Sequence, residues 1–123
     1  HRAMNVEIRK FYSVEMEDIL ELYQPVERDN FGTWIRLAIG PKGESGVDYF
    51  ELFVCTPQWL VEELERDAPA RWARHFLIVE KYSLDLITDQ CERLVWRFSG
   101  NDWLTIAQKI ARYAYWEFEG MQP

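Results

Sequence analysis

The 123-residue chain has few residues of several kinds, and each shortage argues against a class of protein. Its two cysteines, Cys55 and Cys91, lack CxxC spacing and indicate neither a disulfide scaffold nor a zinc knuckle. The longest apolar run is Phe76 to Val79, far short of the roughly 20 residues that a membrane-spanning helix needs. Neither histidine lies in a metal-binding or hydrolase motif, so we expect no metal, no cofactor and no enzymatic activity. The lack of a disulfide pattern favours a cytoplasmic location.

Basic residues are also in the minority, with 14 Lys and Arg against 21 Asp and Glu and a formal net charge of −7. Nucleic acids and anionic membranes need local Lys and Arg to neutralise their phosphates, so we expect neither as a partner. A protein with a basic surface is a better partner for this acidic chain. Hydrophobic residues make up 48% of the chain, which is enough for a packed core and too much for intrinsic disorder.

The sequence predicts one domain over residues 4–123. Its length falls in the single-domain range, and no linker, repeat or low-complexity tract interrupts it. The three residues before Met4 are interpreted as the remnant of an expression tag and carry no functional argument.

Hydrophobic periodicity predicts an α+β fold in which helices pack on an antiparallel sheet of about four strands. We expect strands near residues 6–14, 31–39 and 50–55, with a glycine-rich turn over residues 40–46 that joins the last two into a hairpin. A fourth strand over residues 76–82 is apolar on both faces, which predicts a central place in the sheet.

A short helical turn is predicted over residues 17–23, and a longer helix is predicted to begin at Thr56-Pro57. The threonine hydroxyl can cap the free amides, and proline loses no hydrogen bond at the first helical position. This helix should end near Asp67, before the next proline.

Two amphipathic helices are expected to close the chain. Apolar residues recur at spacings of three and four over residues 84–98, with Ser83 as the cap and a glycine at the end. The same spacing follows over residues 103–114, with Asn101 as the predicted cap.

The densest negative segment lies between residues 15 and 29, where only Arg28 offsets the acids. It is either ordinary surface charge or a docking surface that steers a basic partner, because complementary charge raises association rates. Trp34 stands opposite the main apolar row of its strand, so it is either an exposed anchor or covered by a helix. The predicted partner-binding residues are Glu17, Asp18, Glu21, Glu27, Asp29 and Trp34.

Three stretches of the chain are distinctive. They are Ile39-Gly40-Pro41-Lys42-Gly43 running on to Val54-Cys55-Thr56-Pro57-Gln58-Trp59-Leu60, then His75 to Tyr82, then Trp103 to Glu119. Together they resemble the immunity protein 8 family of bacterial polymorphic toxin systems. The most specific pieces are the Val-Cys-Thr-Pro-x-Trp-Leu and Trp-Glu-Phe-Glu runs.

The resemblance implies a cytoplasmic antidote that binds the toxin domain encoded beside it and blocks that domain. It implies no catalytic motif and assigns no contact residue. The leading prediction is therefore an immunity protein that neutralises a cognate toxin domain, and a basic nuclease is the toxin class that suits the acidity of the chain. Two alternatives stay open: a small-molecule binding module with an aromatic-lined cleft between sheet and helices, and an acid/base enzyme that uses a carboxylate pair.

Overall fold

The computed structural model describes residues 3–119 as an α+β fold, with a seven-stranded sheet and three α-helices in that range. None of these helices is long and apolar enough to cross a membrane. The strands are β1 (Met4–Ser13), β2 (Asp18–Ile19), β3 (Gly32–Pro41), β4 (Asp48–Cys55), β5 (Phe76–Ile78), β6 (Ser99–Gly100) and β7 (Tyr115–Trp116). The helices are α1 (Pro57–Arg66), α2 (Leu84–Trp96) and α3 (Trp103–Ile110), and a 3-10 helix (Leu20–Leu22) follows β2.

The main path through the sheet runs β2-β1-β3-β4-β5, with β6 paired to β1 and β7 paired to β4. Every pair is antiparallel except β4 and β5, which run parallel. The register of β1 against β3 shifts between Ile8 and Lys10, so Arg9 is the extra residue of a β-bulge. Its guanidinium donates hydrogen bonds to the carbonyls of Pro41 and Gly46 and ties the bulge to the β3–β4 turn.

The predicted α+β class is confirmed, but the predicted count of four strands is too low. Strands β2, β6 and β7 have two residues each, which is too short for any periodicity. The predicted central place of the strand near residues 76–82 is also wrong, since β5 ends at Ile78 and lies at the edge of the main path. It is apolar on both faces because the ring of Phe76 packs on Phe53 (4.9 Å between centroids) while Leu77 packs against the core.

The core lies between one face of the sheet and helices α2 and α3. Alternate residues of β3 and β4 point to this face, as the period of two in a strand requires. They are Ile35, Leu37, Ile39, Phe50, Leu52 and Val54, and they meet Ile87, Cys91, Val95, Ile106 and Ile110 of the two helices. Full burial of one such side chain stabilises the fold by about 1.5–3 kcal/mol.

The three predicted helix caps have different outcomes. Ser83 caps α2 as predicted, because its hydroxyl accepts the N–H of Leu86. Asp102 caps α3 in place of the predicted Asn101. The predicted start of α1 at Thr56-Pro57 is confirmed, with Thr56 at the N-cap position, but the threonine hydroxyl makes no capping hydrogen bond to the helix. It is buried and instead accepts the N–H of Phe31 (3.2 Å), which joins the end of β4 to the start of β3.

The predicted helical turn over residues 17–23 is replaced by β2 and the 3-10 helix. Leu20 and Tyr23 are buried, whereas Leu22 is 52% exposed. Side chains three residues apart fall on one side of a 3-10 helix, which explains why these two share the buried side.

Candidate functional site

The two faces of the sheet differ in how they are covered. While α2 and α3 cover one face, the other carries Trp34 and Arg36 of β3 beside their β4 partners Phe53 and Glu51. Tyr12 of β1 stands opposite Arg36 on the same side. We call this side the open face, and its central residues are Tyr12, Trp34, Arg36, Tyr49, Glu51, Phe53 and Tyr115.

A groove of about 1020 Å³ crosses the open face between the β1–β2 turn and the segment around β7. Phenol rings, a tryptophan and carboxylates form most of its lining. The aromatic residues are Tyr12, Tyr49, Tyr115 and Trp116, the carboxylates are those of Glu15, Glu17, Asp18, Glu51 and Glu117, and the guanidinium is that of Arg36.

The groove carries an excess of negative charge. The guanidinium of Arg36 is already engaged by Glu51, with Nε and Nη2 at 2.7 and 2.6 Å from Oε2. Three further acids, Glu15, Glu17 and Asp18, are exposed, and none of them forms a salt bridge within residues 3–119. Their charges therefore face solvent without a local counter-ion.

The turn that presents these acids is held by hydrogen bonds. The hydroxyl of buried Ser13 accepts the N–H of Met16 (3.0 Å), and the N–H of Glu17 donates to the carbonyl of Val14 (3.2 Å). Glu17 adopts a φ of 54°, the left-handed conformation that lets the chain reverse direction. Pairing of Ser13 with Asp18 then closes the turn, so the acids project from a defined backbone.

Trp34 sits in a cluster of rings at the end of the open face where α1 begins. Its ring packs edge-on against Phe53 (5.2 Å between centroids) and lies 5.8 Å from Tyr115. Trp59 of α1 packs on the same Phe53 at 4.8 Å. Trp34 nevertheless remains 37% exposed, so it is packed on one side and accessible on the other.

The structure brings only some of the predicted partner-binding residues together. Glu17 and Asp18 line the groove, and Trp34 packs against its wall through Tyr115. Glu27 lines a neighbouring groove of about 470 Å³, and the two grooves share Glu15. The two remaining acids, Glu21 and Asp29, are exposed and line neither groove.

Sequence reasoning missed several residues of the groove. Glu51 and Tyr49 could have been found, because the predicted hairpin places them across from the Trp34 side of β3. Glu117 and Tyr115 belong to the two-residue strand β7 and its flank, which carries no pattern of its own. The N–H of Tyr49 donates to the Glu117 carboxylate (2.6 Å), which holds this distant acid in place.

His75 lies under the open face, buried against the ring of Tyr115 (4.4 Å between centroids, edge-on). Burial lowers the pKa of its imidazole and the charge of Arg74 lowers it further, while Glu119 acts in the opposite direction. Its backbone φ of 60° is left-handed. Among the described residues its Nε2 finds no hydrogen-bond partner.

The chemistry available to the site is mainly that of carboxylates and aromatic rings. Burial raises the pKa of the Cys55 and Cys91 thiols to about 11 and about 12, so both stay protonated and poorly nucleophilic at neutral pH. Between residues 3 and 119 no group of three metal-ligating side chains could hold a metal ion.

A crevice of about 310 Å³ between sheet and helices has a mostly aliphatic lining, so the aromatic-lined cleft predicted there is not found at that place. The acid/base alternative needs carboxylates that converge in a concave pocket. The groove brings five carboxylates to one concave surface, so this alternative has a candidate place there.

Fold and site together define a small α+β domain with a sheet covered on one face, whose free face is concave, aromatic and acidic. The chain belongs to the immunity protein 8 family, because the model of that family matches residues 7–121. The match spans nearly every described element from β1 to β7 and confirms the resemblance found in the sequence. No curated protein and no solved structure gives a significant match to the chain.

Proposed function

We propose that this chain is an immunity protein that binds a cognate bacterial toxin domain and neutralises it. The observation that carries the proposal is membership in the immunity protein 8 family over residues 7–121. The proposed action is tight stoichiometric binding in the cytoplasm of the cell that makes the toxin, and it requires no catalysis, metal or cofactor.

The proposed contact residues are those predicted from the sequence. Their exposure supports the proposal, and five of the six are acids that would attract a basic partner and speed its association. Trp34 would be the aromatic anchor, since a large ring that is already packed loses little entropy on binding. The set is Glu17, Asp18, Glu21, Glu27, Asp29 and Trp34.

A basic nuclease is the toxin class we propose. Nucleases bind phosphates through clefts rich in Lys and Arg, and an anionic protein surface can occupy such a cleft. The net charge of −7 and the excess of carboxylates in the groove support this choice over an acidic toxin.

The test is to express the toxin domain encoded beside this chain's gene in cells with and without the chain. We expect growth to be restored only with the chain, and we expect the purified proteins to form a 1:1 complex in size-exclusion chromatography. A nuclease target predicts that the chain also stops cleavage of DNA or RNA by the purified toxin. Cells that die equally in both cases, with no complex in solution, would refute the proposed function.

A further inference from the structure

We infer that the toxin domain docks on the open face through a segment that places a lysine or arginine side chain in the groove between Tyr12, Tyr49 and Tyr115. The inference rests on the proposed function and names both the surface and the chemistry of the contact. Four observations support it: the coverage of the sheet, the charge of the groove, an arginine contact on the same face and local rigidity.

The first argument is that the middle of the open face lacks a cover. Trp59 of α1 reaches only the end of β3, where it lies over Gly32. Beyond that point Trp34 is 37% and Tyr49 38% exposed, and no helix of the described chain lies over the groove. Exposed rings grouped on a concave surface are typical of interaction sites.

The second argument is charge. Five carboxylates line the groove against the single guanidinium of Arg36, which Glu51 already pairs. A phosphate or an acidic side chain would be repelled here, whereas an ammonium or guanidinium would gain Coulomb attraction. The nearby ammonium of Lys10, 5.9 Å from the Tyr12 ring, is not part of the groove lining.

The third argument is that this face already holds one arginine of the chain in the same way. The guanidinium of Arg74 lies 4.8 Å from the centroid of the Tyr115 ring and 2.8 Å from a carboxylate oxygen of Glu119. The groove likewise combines phenol and carboxylate side chains, among them those of Tyr49 and Glu117, and the Glu117 carboxylate accepts the backbone N–H of Tyr49. Such pairs attract a cation both through the ring and through the charge.

The fourth argument is rigidity. Hydrogen bonds to the Ser13 hydroxyl and the Val14 carbonyl hold the turn that carries the acids, and the N–H of Tyr49 holds Glu117. A surface that is ordered before binding loses less conformational entropy when the partner arrives. The groove is therefore suited to fast and tight recognition of a protein rather than to loose surface adsorption.

The experiment compares two triple variants in binding to the purified toxin domain. One is E15Q/E17Q/D18N, which removes three charges at the groove. The control, E44Q/E80Q/E92Q, removes three exposed carboxylates that line neither groove. At low salt we expect the first variant to associate about tenfold more slowly and with a weaker salt dependence, and the control to stay within about twofold of the wild type.

A second pair of variants tests the sign of the charge that enters the groove. Tyr49→Lys adds an ammonium to the groove, while Tyr49→Met removes the phenol without adding charge. A cationic occupant predicts a Kd at least about tenfold higher for Tyr49→Lys than for Tyr49→Met. Both variants should fold, because Tyr49 is partly exposed on the open face and its backbone bonds are unchanged.

Equal kinetics of the two triple variants, together with equal affinity of the two Tyr49 variants, would overturn the inference if the wild-type chain still binds the toxin. The proposed immunity function would then stand with a different docking surface. A wild-type chain that fails to bind the toxin at all would overturn both.

Discussion

His75 combines three unusual features in one residue. It is buried, its φ is 60°, and its Nε2 has no hydrogen-bond partner in the described part of the chain. Burying a polar atom without a partner destabilises a fold by about 1–3 kcal/mol, and a charged imidazolium would be worse. The ring therefore favours its neutral form, in agreement with the direction of its pKa shift.

This residue makes folding stability sensitive to mild acid. Because the folded-state pKa lies below the ordinary value of 6.5, the unfolded chain takes up a proton first as the pH falls. We expect the His75 contribution to be complete above about pH 6.5 and to decline toward the folded-state pKa. Denaturant unfolding of the wild type and of His75→Asn between about pH 7.5 and about pH 5 measures it, and asparagine tolerates the left-handed φ.

The stability of the wild type should fall relative to that of the variant as the medium becomes more acidic. If the free energies of unfolding of the two proteins changed in parallel over this pH range, His75 would not be the source of the acid sensitivity. His1 lies outside the described residues and is present in both proteins, so it cancels in the comparison.

At the scale of elements, α1 shows how one glycine determines where a helix packs. The helix has no fully buried residue, and it meets the sheet through Trp59, which packs on Phe53. A Cβ atom at Gly32 would lie 2.5 Å from Cε2 of Trp59 and 2.7 Å from Cζ of Phe53. Only glycine leaves room for the indole at this point of β3.

We therefore expect Gly32→Ala to lower the free energy of unfolding by about 1–3 kcal/mol, because the indole must move off the sheet. Gly46→Ala is the matched control, since a Cβ atom there meets nothing within 4 Å, and it should change stability by less than about 0.5 kcal/mol. Adding Trp59→Leu to Gly32→Ala should recover part of the loss. Equal effects of the two alanine variants in urea unfolding would show that the indole is not confined by Gly32.

At the scale of the whole molecule, one core joins the two ends of the described chain. The same cluster of buried residues includes Val6 of β1 and Trp116 of β7. Asp48 adds a polar link, because one carboxylate oxygen accepts the indole N–H groups of Trp103 (2.7 Å) and Trp116 (3.0 Å). Strand β4 is thereby tied both to the start of α3 and to β7.

We propose a single domain over residues 4–123, because the shared core and the Asp48 link tie together the two ends of the described chain. We expect one cooperative unfolding transition, with coincident curves from tryptophan fluorescence and far-ultraviolet circular dichroism and a calorimetric enthalpy equal to the van't Hoff enthalpy. Two separated transitions, or a fluorescence change that precedes the loss of helix, would refute the single-domain prediction.

The long elements follow from local pattern alone. Alternation of apolar and polar residues predicted β1, β3 and β4, and spacings of three and four predicted α2 and α3, because each such element buries one face. The Thr56-Pro57 pair predicted the start of α1. The acidity of the chain and its resemblance to the immunity protein 8 family could also be recognised from the sequence. The partner of the Thr56 hydroxyl and the choice of Asp102 over Asn101 as a cap could not be read in this way, since a polar side chain near a helix start has several possible partners.

Only the tertiary structure decided which side chains share the groove. Its carboxylates come from the β1–β2 turn, from β4 and from the segment after β7, so that Glu15 and Glu117 lie far apart in sequence. Strand order and register bring them to one face, and these depend on the packing of the whole core rather than on any local period. The amino-acid pattern thus determined the elements and the charge, while their assembly determined where that charge is concentrated.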